Sequence, residues 1–216
     1  MPERIRFTRQ ASEVDMTAAH WDQTYAQGEA TRSWYQSRAA VSLRLFDELG
    51  VHAEHSVIDV GGGASPLVDE LVARGHGRLC VLDVSGAGLR IARDRLGAAA
   101  ERVEWVTADV LAWRPTGPFD VWHDRAAFHF LTEAGDRARY RRVLAAATKP
   151  DAVAVLATFA PDGPSTCSGL PVARWDAAGL AAELGREWTL VSQAQVEHTT
   201  PSAAVQPFTW AAFRRV

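Results

Sequence analysis

From residue 38 onward the apolar positions switch repeatedly between two spacings. Val41, Leu45, Phe46 and Leu49 recur at helical intervals ahead of Gly50, whereas Val57, Ile58 and Val60 make a short, nearly continuous apolar run. The same alternation then repeats. A helix over 67–74 closed by Gly75 precedes a strand over 79–84, and Ser85 caps a helix that runs to about Leu96 and stops at Gly97. Strands follow over 103–106 and 119–122, then a helix over 136–147 and an apolar strand over 152–159. The stretch PDGPSTCSGLPVA has the composition of a long loop. A helix over 175–184 and two closing strands, 188–196 and 206–213 with a turn near Pro201, complete seven predicted strands. Short continuous apolar runs are strands buried on both faces, and helices between them are the connections that parallel strands require. The pattern predicts an α/β fold, a mostly parallel sheet with helices on both faces.

The amino-terminal part reads differently. Residues 1–16 are polar and expected to be loosely ordered, and residues 17–37 set Trp21, Tyr25, Trp34 and Tyr35 on a polar background outside any clear strand or long helix. Such a segment is either a cover over a ligand site or an amino-terminal helix packed on the domain.

Composition narrows the classes. The 216 residues, 47% hydrophobic and 23% charged, suit a single globular domain, and a net charge of −3 argues against a dedicated nucleic-acid binder. No apolar run approaches the length of a membrane span, and the first 16 residues lack the apolar segment of a signal peptide, so a cytoplasmic protein with no membrane partner is expected. Cys80 and Cys167 have neither zinc-ligand spacing nor a disulfide framework, and no metal site is expected.

The candidate chemistry centres on VIDVGGGASP, residues 57–66. Gly61 to Gly63 allow positive φ and close approach of a ligand, and Ser65 with Pro66 can open the next helix. Asp59, Asp83 and Asp109 fall at or just beyond the ends of three successive predicted strands, where open α/β sheets bind ligands. Asp83 is placed to accept two ribose hydroxyls and Asp109 an exocyclic amine; each also has a capping or turn reading. A nicotinamide dinucleotide would want a third glycine where Pro66 stands.

These residues resemble the class I S-adenosylmethionine-dependent methyltransferases: VIDVGGG is similar to their first motif, LDVS to the second and ADV to the third. The resemblance implies S-adenosylmethionine as cofactor and strand order 3-2-1-4-5-7-6 with the last strand antiparallel. Within one domain spanning 1–216, it implies a cover over 17–37, a cofactor core over 55–160 and an acceptor-side segment over 161–216. It carries cofactor contacts onto Asp59, Gly61, Gly63, Asp83, Val84, Asp109, Val110 and Asp124, with Trp21 and Trp34 in the cover. A narrower likeness joins FDVWHDRAAFHFL and HWDQTYAQGE to the thiopurine S-methyltransferases and tellurite-resistance methyltransferases, although lysine methyltransferases of the citrate-synthase type share the Trp-Asp-x-x-Tyr entrance. By matching position it sets Arg125 near the methyl acceptor.

Methyl transfer from a sulfonium needs a desolvated nucleophile held in line more than it needs acid-base machinery. Arg125 could stabilise a thiolate or simply pair with Asp120 or Asp124. His129, between Phe128 and Phe130, is the best pocket-lining histidine; His123 and His198 are further candidate bases or packed residues. Cys167 is a free loop cysteine or a soft ligand. The expected function is methylation of a small-molecule thiol or related chalcogen. An amine or hydroxyl acceptor, a protein lysine, and a cofactor-binding regulatory protein without turnover are the alternatives; oligomeric state is left open.

Overall fold

The computed structural model describes residues 12–216. Seven strands form one sheet: β1 Val57–Val60, β2 Leu79–Asp83, β3 Val103–Thr107, β4 Phe119–Arg125, β5 Thr148–Phe159, β6 Trp188–Thr199 and β7 Val205–Arg215. Their spatial order is β3-β2-β1-β4-β5-β7-β6, and β7 runs antiparallel to both β5 and β6 while the other pairings are parallel, as the resemblance implies. The helices are α1 Ser12–Ala26, α2 Ala40–Glu48, α3 Leu67–Ala73, α4 Gly86–Leu96, α5 Ala134–Ala147 and α6 Ala177–Leu184.

The period-two rule divides the core between the two faces of the sheet. Val57, Val121 and Val155 pack with Leu43, Phe46, Leu67, Leu71 and Leu89 on one side. Their neighbours Ile58, Trp122 and Leu156 pack with Tyr140, Leu144 and Leu180 on the other. The parallel strands are therefore sealed on both faces, and their carboxyl ends are where side chains can reach a ligand.

Several expectations shift. The aromatic amino-terminal segment contains a 15-residue helix, α1, although its residues lack an apolar stripe. Of the stretch 1–16 expected to be loosely ordered, residues 12–16 lie in this helix and 1–11 lie outside the described residues. Strand β4 extends three residues further than the apolar run, to Arg125, because its polar end is hydrogen-bonded into the sheet beside β5. Pro66 occupies the cap position of α3 rather than its first turn, and the Ser65 hydroxyl accepts the Leu67 N–H at 3.2 Å. The loop after β5 folds a small hairpin of Thr166–Cys167 against Leu170–Pro171. Ser85 caps α4 as expected, accepting the Gly88 N–H at 3.0 Å.

Candidate active site

The turn after β1 needs glycine for two reasons. Gly61 and Gly63 have φ of +67° and +47°, a region that disfavours side chains. Space is also exhausted: a Cβ on Gly61 would lie 2.6 Å from the Ala127 Cβ, and one on Gly62 would lie 2.7 Å from Asp59 Oδ2. The Gly61 and Gly62 N–H groups both donate to the Leu82 carbonyl, at 2.7 and 3.3 Å, which binds the turn to β2.

The strand-end carboxylates meet different surroundings. Asp59 Oδ1 accepts from His123 Nδ1 at 2.7 Å, whose Nε2 lies 2.9 Å from the Ser42 hydroxyl, while Asp59 Oδ2 is buried with no partner. Asp83 Oδ1 accepts the Ser85 N–H at 2.7 Å; burial pushes its pKa up to about 7 against the pull of the Ser85 and Gly63 N–H groups. Asp109 accepts the Leu111 N–H at 2.8 Å, the turn its capping reading anticipated. Asp124 is fully buried and uses both oxygens inside the protein. Oδ1 accepts the N–H groups of Ala127 and Phe128, and Oδ2 accepts the Tyr140 hydroxyl at 2.6 Å. Burial raises its pKa to about 6. Its carboxylate thus shapes the turn after β4, where Ala126 has φ +66° and Ala127 abuts Gly61. Val84 and Val110 directly follow the Asp83 and Asp109 positions and are half-buried.

Beyond β4 the character changes from carboxylate to cation. Arg125 donates through Nη1 to the Trp34 carbonyl at 3.0 Å and lies over the Phe208 ring, but its Nε and Nη2 are sealed from solvent without a partner among the described residues. Neither expected ion pair forms. Asp120 is taken by Lys149 at 2.8 Å and Asp124 by Tyr140. Burial lowers the Arg125 pKa to about 10, so the guanidinium is a cation at neutral pH. His129 packs between Phe130 and Phe159, and neither ring nitrogen has a partner among the described residues. Burial, followed by the Arg125 charge, lowers its pKa to about 3. Cys167 is buried as well, and its thiol is pushed up to about 11, against the pull of Arg125 and Ser33. A protonated thiol of this kind is a poor nucleophile or soft-metal ligand. His198 Nε2 lies 2.7 Å from the Ser33 carbonyl.

A cleft of about 530 Å³ brings together Asp59, Gly61, Gly62, His123, Arg125, Tyr25 and Trp34, whereas Asp83, Asp109, Asp124 and His129 are not among the residues that line it. A smaller cavity of about 240 Å³ shares Arg125 and continues toward His198, Phe208 and Trp210. The amino-terminal segment closes the roof. Trp21 meets Trp34 and Phe130 edge-on, and the Tyr25 ring lies so close to Gly63 and Gly88 that a side chain at either would displace it. Asp22 accepts from the Ser85 hydroxyl at 2.6 Å and the Ala87 N–H at 3.1 Å. Sequence reasoning missed Asp22 and Ser42. Asp22 was discoverable inside the Trp-Asp-x-x-Tyr stretch, but Ser42, on an ordinary amphipathic helix, carries no signal until its partner across the sheet is known.

The family model described as a methyltransferase domain matches residues 57–151, from β1 to the start of β5. That segment, a little under half of the chain, is similar to a methyltransferase domain. The chain is accordingly an enzyme, and the cofactor of the domain is S-adenosylmethionine. No curated protein matches in sequence. Among solved structures, a methyltransferase from Anabaena variabilis superposes with a TM-score of 0.72 at 17% identity, over 94% of this chain and 95% of its own. The 1,6-didemethyltoxoflavin-N1-methyltransferase of Burkholderia thailandensis, solved with S-adenosylhomocysteine, gives 0.69 at 20% identity, over 100% and 93%. A structure described for the conversion of a disulfide bond into a thioacetal group during echinomycin biosynthesis gives 0.72 at 19% identity, over 92% and 91%. At these identities the likeness establishes the methyltransferase fold.

Proposed function

We propose that the methyltransferase domain methylates the sulfur of a small-molecule thiol, held as its anion against Arg125. The observation that carries this reading is the Arg125 guanidinium itself. It is a buried cation with two unpartnered nitrogens, at the end of the fourth strand beside Trp34 and Phe208, and it has no ion pair among the described residues. Such a charge is costly to bury without an anion, and a thiolate supplies one. The narrower resemblance of Asp124-Arg125 to thiopurine S-methyltransferases agrees with it, as does sulfur chemistry in the name of one structural neighbour.

The cleft suits the donor. The orphaned Asp59 Oδ2 can accept from an ammonium beside Gly61 and Gly62, which line the cleft, and Asp83 can accept from ribose hydroxyls. Asp109 and the apolar Val84 and Val110 would flank the base. When bound, S-adenosylmethionine supplies a methyl group already activated by the sulfonium charge. What remains for the protein is to hold the acceptor in line and keep water out. Arg125 stabilises the anion. His129, neutral throughout the physiological range, hydrogen-bonds the acceptor without taking its proton, so the thiol loses that proton before or during entry. Residues 17–37 form the lid over the donor, and residues 161–216 supply the far wall of the acceptor chamber through His198, Phe208 and Trp210.

A nitrogen acceptor is the second reading, since the Burkholderia neighbour is an N-methyltransferase. A protonated amine would be repelled by Arg125, so this reading requires a neutral nitrogen. A screen of thiols, amines and phenols for S-adenosylhomocysteine release separates the two. Thiols are expected to turn over, with Arg125→Met losing roughly 10- to 100-fold at neutral pH, the worth of a charged hydrogen bond, and recovering partly above pH about 8.5, where a free thiol ionises unaided. Arg125→Lys should fall between them. Preference for a neutral amine, with an Arg125→Met pH profile parallel to wild type, would install the nitrogen reading instead.

A further inference from the structure

Ser42, His123 and Asp59 form a hydrogen-bonded row from α2 through β4 to β1, with separations of 2.9 and 2.7 Å and residue exposures of 1, 2 and 4%. The order resembles a hydrolytic triad, but Ser42 is closed inside the core and cannot meet a substrate. The row ends at the cleft, where His123 and Asp59 are lining residues. A carboxylate can only accept, so the bond to Asp59 requires a proton on His123 Nδ1. In the neutral ring Nε2 is then the acceptor and Ser42 the donor, which fixes the tautomer. The ring cannot turn away, since it meets Phe46 edge-on with centroids 5.8 Å apart and Trp210 at 6.4 Å. One Asp59 oxygen is thereby tied down, and Oδ2 is the unsatisfied acceptor. A side chain at Gly62 would lie 2.7 Å from that oxygen, so glycine is what leaves it clear.

We propose that His123, anchored by Ser42, is a positioning residue that aims Asp59 Oδ2 at the ammonium of the donor's aminoacyl end. The proposal rests on the cofactor reading and is independent of the acceptor. An imidazole that only filled space would contribute equally to every ligand of the cleft, whereas an aiming device matters only to a ligand that carries the ammonium.

Calorimetric titration with two ligands draws that distinction: S-adenosylhomocysteine, and methylthioadenosine, which has the nucleoside and thioether but no amino acid. His123→Leu should weaken S-adenosylhomocysteine roughly 10- to 30-fold, the range of a charge-assisted hydrogen bond, and leave methylthioadenosine unchanged. His123→Asn, whose amide N–H can take the place of Nδ1–H, should restore most of the loss. Ser42→Ala should cost S-adenosylhomocysteine roughly threefold through the freed ring, and it carries the same two-ligand contrast if the leucine variant does not fold. Equal weakening of both ligands, or of neither, would overturn the proposal. Wild-type protein that binds neither ligand would remove the cofactor reading and this inference with it.

Discussion

The proposed donor and acceptor sides treat their polar groups in opposite ways. On the proposed donor side carboxylates predominate and are mostly engaged: Asp83 by the Ser85 N–H, Asp109 by Leu111, and Asp124 by three donors. On the proposed acceptor side the groups are cationic or neutral donors, and Arg125 and His129 have buried nitrogens that no group among the described residues satisfies. A satisfied carboxylate fixes backbone geometry before any ligand arrives. An unsatisfied donor destabilises the empty protein and is relieved by a ligand. The donor side is thus built for shape and the acceptor side for demand, with Asp59 Oδ2 as the point where demand reaches across.

The largest effect should follow from removing Asp83. Asp83→Ala is expected to weaken S-adenosylhomocysteine roughly 100-fold by calorimetry, since two hydrogen bonds to a charged acceptor are lost. Arg125→Met should leave that affinity unchanged. Comparable losses in both variants would erase the distinction between the two sides.

The pH dependence of stability should differ in sign. Asp83, normally near 3.8, has its pKa raised to about 7 when folded. The folded state therefore holds the proton more tightly, and the contribution of Asp83 is full below pH 4 and lost as pH rises to 7. His129 runs the other way. Its pKa falls from 6.5 to about 3, so its contribution is full above 6.5 and lost as pH falls toward 3. Each slope is bounded by about 1.4 kcal/mol per pH unit. In thermal melts of ligand-free protein, Asp83→Asn should flatten the decline between pH 4 and 7, and His129→Leu should flatten the acid limb below 6.5. A single variant that flattened both limbs would show the two sides to be one coupled network.

A smaller effect is expected from Gly88→Ala. The added Cβ would lie 2.6 Å from the Tyr25 ring and must push α1 outward without touching the sheet. Proteolysis of residues 12–26 should quicken, and stopped-flow tryptophan fluorescence should show faster association of S-adenosylhomocysteine, because Tyr25 otherwise fills the space over Gly63. Slower association would identify Tyr25 as part of the binding surface.

The sheet was legible in the sequence because its strands are buried on both faces, so apolar runs such as 57–60 and 152–159 report directly on burial. The order of the strands came from the resemblance, since apolar runs carry no record of their neighbours. Less legible was α1, whose aromatics are half spread among polar residues and gain their partners from α4 and Phe130. The Asp124 carboxylate also read as a ligand contact, yet its three partners arise from a turn and from Tyr140 sixteen positions away. Arg125 lines the cleft, but its lack of an ion pair among the described residues could not be read from the sequence, because it depends on where Lys149 sits.

The antiparallel β7 has a consequence for assembly. It follows β6 in the chain yet lies inside it, between β6 and β5, so β6 has no place in the sheet until β7 has turned back at Pro201 and paired with it. The ribbon of these two strands carries Val196, His198, Phe208 and Trp210, so the wall of the chamber around Arg125 is hung on the sheet through the β5–β7 pairing alone.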